Sequence, residues 1–163
     1  MGPVDGLLVG RFQPFHLGHL EALRFALGRV SRLWVGIGSS NAPVSEENPF
    51  TAAQRAEMIS SSVGRMAPRI RTYEIPDAGD HGAWARQIDE IVPPFGVVFT
   101  NDGETGRLYS GRARVVRIPM VRRRDLSGTR VRALIRSGGA WEGLVPPGTR
   151  GVVAGATGRR AGP

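Results

Sequence analysis

The chain has 163 residues, 40% of them hydrophobic, with no cysteine and a formal net charge of +8. That length is expected to make one domain with a real core, and the missing thiols exclude disulfides, thiolate metal sites and cysteine nucleophiles. No apolar run reaches the roughly 18 residues a membrane helix needs, and no basic stretch leads into an apolar core at the N-terminus, so a cytoplasmic location is the default expectation.

The first apolar run, Gly6–Val9, predicts a buried strand, and Leu20, Leu23 and Leu27 recur at helical spacing over His19–Leu27. Between them lies Val9-Gly10-Arg11-Phe12-Gln13-Pro14-Phe15-His16-Leu17-Gly18-His19. Helix N-termini attract anions because their first N–H groups lack intrahelical partners. Arg11 and two imidazoles at such a turn point to a phosphate site with chemistry attached. Pro14 fixes a turn, and Gly18 lets backbone approach a ligand. His16 and His19 face the same side of a helix start. A metal pair at that spacing lacks a third ligand cluster, and a purely structural pair, with His19 capping and His16 packed under the loop, stays open.

Further along, Leu33–Ile37 predicts a second strand, followed by Gly38-Ser39-Ser40, which could hold ligand backbone. Asn48-Pro49-Phe50-Thr51-Ala52-Ala53-Gln54-Arg55 contains a capping box, Thr51 with Gln54, opening a helix over Thr51–Val63. A third strand, Ile70–Ile75, runs into Pro76-Asp77 and then a helix over Ala83–Val92. There Trp84, Ile88 and Ile91 share a face, so Trp84 serves equally as core or as a stacking surface. Val97–Phe99 leads to Thr100-Asn101-Asp102, a turn before a helix over Glu104–Tyr109. Val115–Ile118 is the fifth predicted strand. Ser127 and Thr129 are then placed to cap a last helix, Gly128–Arg136, with Arg132 one turn in. The stretch from Pro146 to Pro163, rich in Gly, Pro and Arg, is expected to be flexible or draped over the surface.

All 22 basic residues are arginine; nine fall between Arg112 and Arg136 against one acid, Asp125, and the remainder of the chain is balanced. Guanidinium forks match phosphate in two-point contacts, which favours polyphosphate or nucleic acid as partner. A solvated basic surface accounts for the same count. Apolar strands alternating with amphipathic helices predict a doubly wound parallel sheet, with ligands beyond the strands' carboxyl ends.

The string Gly10-Arg11-Phe12-Gln13-Pro14-Phe15-His16-Leu17-Gly18-His19 resembles the H-x-x-H signature of the nucleotidylyltransferase superfamily, in particular the archaeal-type nicotinamide-nucleotide adenylyltransferases. Ser127-Gly128-Thr129-Arg130-Val131-Arg132 resembles that family's S-x-T-x-x-R element, and Asn48–Arg55 its N-P-F-T-A-x-x-R segment. The resemblance covers roughly Gly6 to Val145. It implies a single Rossmann-like doubly wound α/β sheet of about five parallel strands with helices on both faces, occupying residues 1–145. The activity it implies joins nicotinamide mononucleotide to the AMP part of ATP, giving NAD and pyrophosphate. Attack is direct and in line, without a covalent intermediate, and Mg²⁺ arrives with ATP rather than on protein ligands. Catalytic roles fall on His16, His19, Arg11 and Arg132. ATP and phosphate contacts fall on Gly10, Phe12, Gly18, Ser127, Gly128, Thr129, Asn101 and Asp102. The nicotinamide nucleotide falls to Ser39, Asp77 and Trp84. Relatives form homo-oligomers, commonly hexamers. Two departures stand out: Arg130 occupies a position often acidic in relatives, and Glu46 and Glu47 precede the Asn-Pro where a basic residue is common.

Two alternatives remain at this stage. One is a sister transferase using another phosphorylated acceptor, such as phosphopantetheine or glycerol phosphate, or CTP as donor. The other is a non-catalytic nucleotide- or nucleic-acid-binding regulator, motivated by the arginine cluster. Gln13-Pro14-Phe15, between Arg11 and His16, and the Asn48–Ala52 segment favour nicotinamide mononucleotide.

Overall fold

Strand β2, Leu33–Ile37, is buried at all five positions, as expected for a strand covered on both faces by its neighbours and by packed layers. In the computed structural model, which describes residues 3–119 and 126–157, it pairs with β1 (Gly6–Gly10) and β3 (Ile70–Glu74). Strands β4 (Val97–Phe99) and β5 (Arg114–Val116) extend the sheet from the other side of β1, giving the order β3-β2-β1-β4-β5 with every pairing parallel. The predicted α/β class and five parallel strands are therefore present. The chain winds outward from β1 to β3, then crosses back to β4, so strand order reverses beside β1. That is where open α/β sheets form a ligand crevice.

The helices are α1 (Leu17–Leu27), α2 (Ala52–Ser60), α3 (His81–Ile91), α4 (Gly103–Tyr109), α5 (Gly128–Ser137) and α6 (Pro147–Ala156). Their contacts group the described residues into two compact units interleaved in sequence. The first draws on 3–11, Ala22–Ala42 and Met66–Pro119 and contains the whole sheet; the second draws on Phe12–Glu21, Pro43–Arg65 and 126–157.

In the first unit, Ala85, Ile88 and Val92 recur at helical spacing along and just beyond α3. They pack with Leu7, Trp34, Ile75, Val98 and Tyr109. Arg69 closes the C-terminal end of α1 by donating to the carbonyls of Leu27 and Val30 at 2.7 Å and of Ser31 at 2.9 Å. A cation there satisfies orphan carbonyls and meets the negative end of the helix dipole.

In the second unit, α6 corrects the expectation of a flexible tail over its own length. Thr149 and Val153, four apart, are both fully buried, and Pro147 starts the helix where its missing N–H costs nothing. Glycine and proline content concealed that pair; residues 158–163 lie outside the described residues. The Thr149 hydroxyl donates to the Phe15 carbonyl at 2.8 Å. A Cβ on Gly148 would sit 2.7 Å from the backbone of Ser61, at the end of α2. Because backbone rather than a flexible side chain stands in the way, Gly148→Ala is expected to destabilise the protein by about 1–3 kcal/mol. Urea unfolding would measure this, and an unchanged midpoint would refute the close α2–α6 approach as a constraint.

Among the described residues no helix is long and apolar enough to cross a membrane.

Candidate active site

In the first unit the ends of successive parallel strands open into a cavity of about 600 Å³. Gly10 and Arg11 come from the end of β1, Gly38 and Ser39 from β2, Asp77 from the loop after β3, and Thr100 and Asp102 from β4. The chain is held close at this point: Gly38 N–H donates to the Gly10 carbonyl at 2.8 Å. Ser39 has a positive φ of 49°, and its hydroxyl donates to the Asp77 carboxylate at 2.8 Å. The Asp77 N–H in turn donates to the Asn41 side chain at 2.8 Å. Ser39 and Asp77, expected from sequence to meet the acceptor nucleotide, are thus direct neighbours on one wall.

Trp84, on α3, is partly buried and stands at the edge of the core. It packs against the core cluster and also lines the cavity. Asp102 lines the same cavity while capping α4, accepting from the Thr105 N–H at 2.9 Å and the Thr105 hydroxyl at 2.7 Å. Those two bonds hold its carboxyl below the usual range. Asn101 is placed differently. Its side-chain amide exchanges two 2.8 Å bonds with the backbone of Ile118, tying the loop after β4 to the chain beyond β5, and it is not among the residues lining the cavity.

The second unit carries the two imidazoles. Their rings stack 3.6 Å apart at 21°, with His16 buried and His19 half-buried. His16 Nδ1 accepts from the N–H of Gly18 at 3.1 Å and of His19 at 3.4 Å, and His19 Nδ1 accepts from the His16 N–H at 3.1 Å. An imidazole nitrogen that accepts carries no proton, so in each neutral ring the hydrogen sits on Nε2. Burial lowers the His16 pKa to about 4, and burial together with the neighbouring His16 lowers that of His19 well below its ordinary value. At neutral pH the pair consists of two uncharged Nε2–H donors. Phe12 and Phe15 support it: Phe12 meets the His19 ring edge-on at 4.9 Å and Phe15 stacks on it at 5.7 Å. Phe12, expected from sequence beside ATP, is 1% exposed and acts as a wall for the imidazole.

The same geometry makes folding pH-dependent. Below its ordinary pKa of 6.5, residue 16 in the unfolded chain takes up a proton that the folded chain refuses down to about 4. The unfolded state then binds more protons, so stability falls with acidification through that window, by about 3 kcal/mol from His16 alone, and is level above it. Urea unfolding of wild type and His16→Asn as a function of pH checks this; equal acid sensitivity in both would remove His16 as the source.

Gly18 is where backbone meets this pair. A Cβ there would lie 2.9 Å from His16 Cε1, so the missing side chain lets the ring settle on its own loop. At the start of α5, Ser127 caps by accepting from the Arg130 N–H at 3.1 Å. Arg132 donates to the Gln13 carbonyl at 2.8 Å and approaches the Thr129 hydroxyl at 3.4 Å. Gln13 is not among the expected site residues, yet its side chain pairs with both backbone groups of Phe50, at 2.9 and 3.0 Å, across 37 residues. It therefore joins the first motif to the Asn48–Arg55 segment and to Arg132. The available signal was a polar residue set among Phe12, Pro14 and Phe15, which has to satisfy its amide internally once buried.

Thr51 and Gln54 form the expected capping box. Glu46, one of the departures from the family pattern, pairs with Arg136 of α5 at 3.2 Å, both side chains being exposed, while Arg130 is exposed. Within the Arg112–Arg136 cluster, residues 122–125 lie outside the described residues.

Residues 7–134 match the cytidylyltransferase-like family, to which the chain belongs. It is 38% identical over 146 residues to a nicotinamide-nucleotide adenylyltransferase of Pyrococcus abyssi, covering 88% of this chain and 78% of that protein. A nicotinamide-nucleotide adenylyltransferase of Thermoplasma acidophilum is 38% identical over 143 residues, covering 85% and 79%. Among solved structures, a bifunctional NMN adenylyltransferase/ADP ribose pyrophosphatase from Francisella tularensis superposes with a TM-score of 0.76 at 19% identity. That match covers 88% of this chain but only 45% of the other, and it speaks for the fold alone.

Proposed function

We propose that the protein transfers the adenylyl group of ATP to nicotinamide mononucleotide, releasing NAD and pyrophosphate. The observation that carries this reading is the stacked pair of neutral imidazoles, His16 and His19, each with its Nδ1 occupied by backbone and its Nε2–H directed elsewhere. The archaeal relatives, named for this activity, support the choice of substrates.

In the proposed reaction a 5′-phosphate oxygen of the mononucleotide attacks the α-phosphorus of ATP. A P–O bond forms there as the bond to the departing pyrophosphate breaks. No side chain enters a covalent intermediate, and rate comes from positioning and charge stabilisation. His16 and His19 donate hydrogen bonds to the phosphate oxygens on which charge builds. Arg11, Arg132 and the α5 start at Ser127, Gly128 and Thr129 hold the phosphate chain. Ser39, Asp77 and Trp84 take the mononucleotide, Trp84 offering an aromatic face to its flat cationic ring, and Asp102 and Gly10 border the adenosine. Asn101 contributes by holding the loop that presents Asp102.

A divalent ion, Mg²⁺ in this reading, comes coordinated to the triphosphate. Among the described residues there is no group of three or more His, Cys, Asp or Glu that could hold a metal ion. The related Francisella protein has been solved with AMP and a manganese ion. Assembly into a homo-oligomer such as a hexamer belongs to the same proposal, and sedimentation would read it.

The test is pyrophosphate release with ATP and nicotinamide mononucleotide, with NAD detected directly, beside a panel of other phosphorylated acceptors and CTP. NAD formation with ATP is expected to dominate. Pyrophosphate release only with a different acceptor or donor, or none at all, would reject the reading.

A further inference from the structure

We propose that Gly128 is a positioning residue that seats the guanidinium of Arg132, and that the absence of a side chain at 128 sets how Arg132 meets the phosphate chain. The inference rests on the proposed role of Arg132 toward pyrophosphate. Gly128 is the first residue of α5. Its backbone does not require glycine: among the described residues the positive-φ glycines are Gly64, Gly111 and Gly138. Glycine is also a poorer helix former than alanine, so conformation and propensity both leave room for a side chain.

Space argues against one. A Cβ at 128 would lie 2.8 Å from Arg132 Nη1 and 3.4 Å from the Gln13 carbonyl oxygen. Helical side chains point back toward the N-terminus, over the preceding turn. Arg132 does so, and its Nη1 ends in the volume that a methyl group at 128 would fill, 2.8 Å from the carbonyl of Gln13. That acceptor is itself fixed, because the Gln13 amide is bonded to both backbone groups of Phe50. A fixed carbonyl, the Thr129 hydroxyl beside Nη2 and an empty place at 128 thus all bear on where the cation sits. The guanidinium is held over the first turn of α5, where helix N–H groups and dipole also favour an anion.

An added methyl group would press on the far end of a flexible side chain. Arg132 can swing aside and the fold survive, so Gly128→Ala separates position from stability.

The experiment compares wild type, G128A, R132A and the double variant. Inorganic pyrophosphate is titrated by calorimetry, with KM for ATP and thermal midpoint measured alongside. G128A is expected to weaken pyrophosphate binding about tenfold, the scale of one charge-assisted hydrogen bond, and to raise KM for ATP by a similar factor. Its thermal midpoint should be unchanged or raised. In the R132A background the same substitution should have no further effect, because the group it displaces is gone. Wild-type affinity in G128A, an equal loss in both backgrounds, or a G128A protein that does not fold would each overturn the inference. Failure of wild type to make NAD would reject the proposed reaction while leaving the pyrophosphate comparison readable. Failure of wild type to bind pyrophosphate would remove the role of Arg132 and the inference with it.

Discussion

His19→Ala is expected to lower turnover by at least ~10²-fold, the cost of losing a preorganised donor to a charge that builds in the transition state. The reasoning starts from its surroundings. The His19 ring is stacked on His16 at 3.6 Å and bounded by Phe12 and Phe15, so it has one orientation. Its Nδ1 is bound to the His16 N–H, leaving Nε2–H as its donor. Alanine removes that donor and leaves the His16 N–H without its acceptor, so a modest loss of stability should accompany the kinetic loss. Steady-state NAD formation, set beside circular dichroism and a thermal melt, separates the two effects. A folded variant with near-normal turnover would end the catalytic assignment. A purely structural imidazole pair predicts the reverse pattern, a large fall in melting temperature with little change in the rate per folded molecule.

Gln13→Leu should be strongly destabilising, costing about 2–6 kcal/mol, because two buried backbone groups lose their partners at once and each orphan costs about 1–3 kcal/mol. Leucine nearly conserves volume and keeps the site apolar, so packing contributes little to the loss. The Gln13 amide closes a two-way bond with Phe50 at 2.9 and 3.0 Å in a buried setting. Urea denaturation reads the change directly. A loss below about 0.5 kcal/mol, the ordinary scatter of surface substitutions, would mean that water or another group replaces the amide.

The sheet was legible because its strands are short and β1, β2 and β4 are mostly apolar, and because the intervening helices bury regularly spaced residues such as Ala85 and Ile88. The caps at Thr51 and Ser127 were legible for the same local reason: a side-chain oxygen three residues before an N–H needs no tertiary information. What sequence concealed depends on long-range pairing. Gln13 reaches Phe50 across 37 positions and Arg132 reaches Gln13 across 119, and nothing in the local string announces either partner. Helix α6 was hidden by composition, since its glycines lower propensity while Thr149 and Val153 supply a buried face that only a packed neighbour rewards. Asn101 shows the opposite error of emphasis. A polar residue after a strand suggests a ligand, whereas its amide is occupied with Ile118. Glu46, an anomaly in the motif, acquires a local partner in Arg136.

The arrangement of the two imidazoles also bears on what the proposed reaction does with hydrogen. Each ring has given its basic nitrogen to the main chain, so neither can lift a proton from a substrate without breaking a bond that orders its own loop. A phosphate monoester at neutral pH is already largely dianionic, its second pKa being about 6, and attacks without assistance. Bond making and breaking at phosphorus would then proceed with no proton in flight, and turnover limited by chemistry should run at nearly the same speed in heavy water as in light.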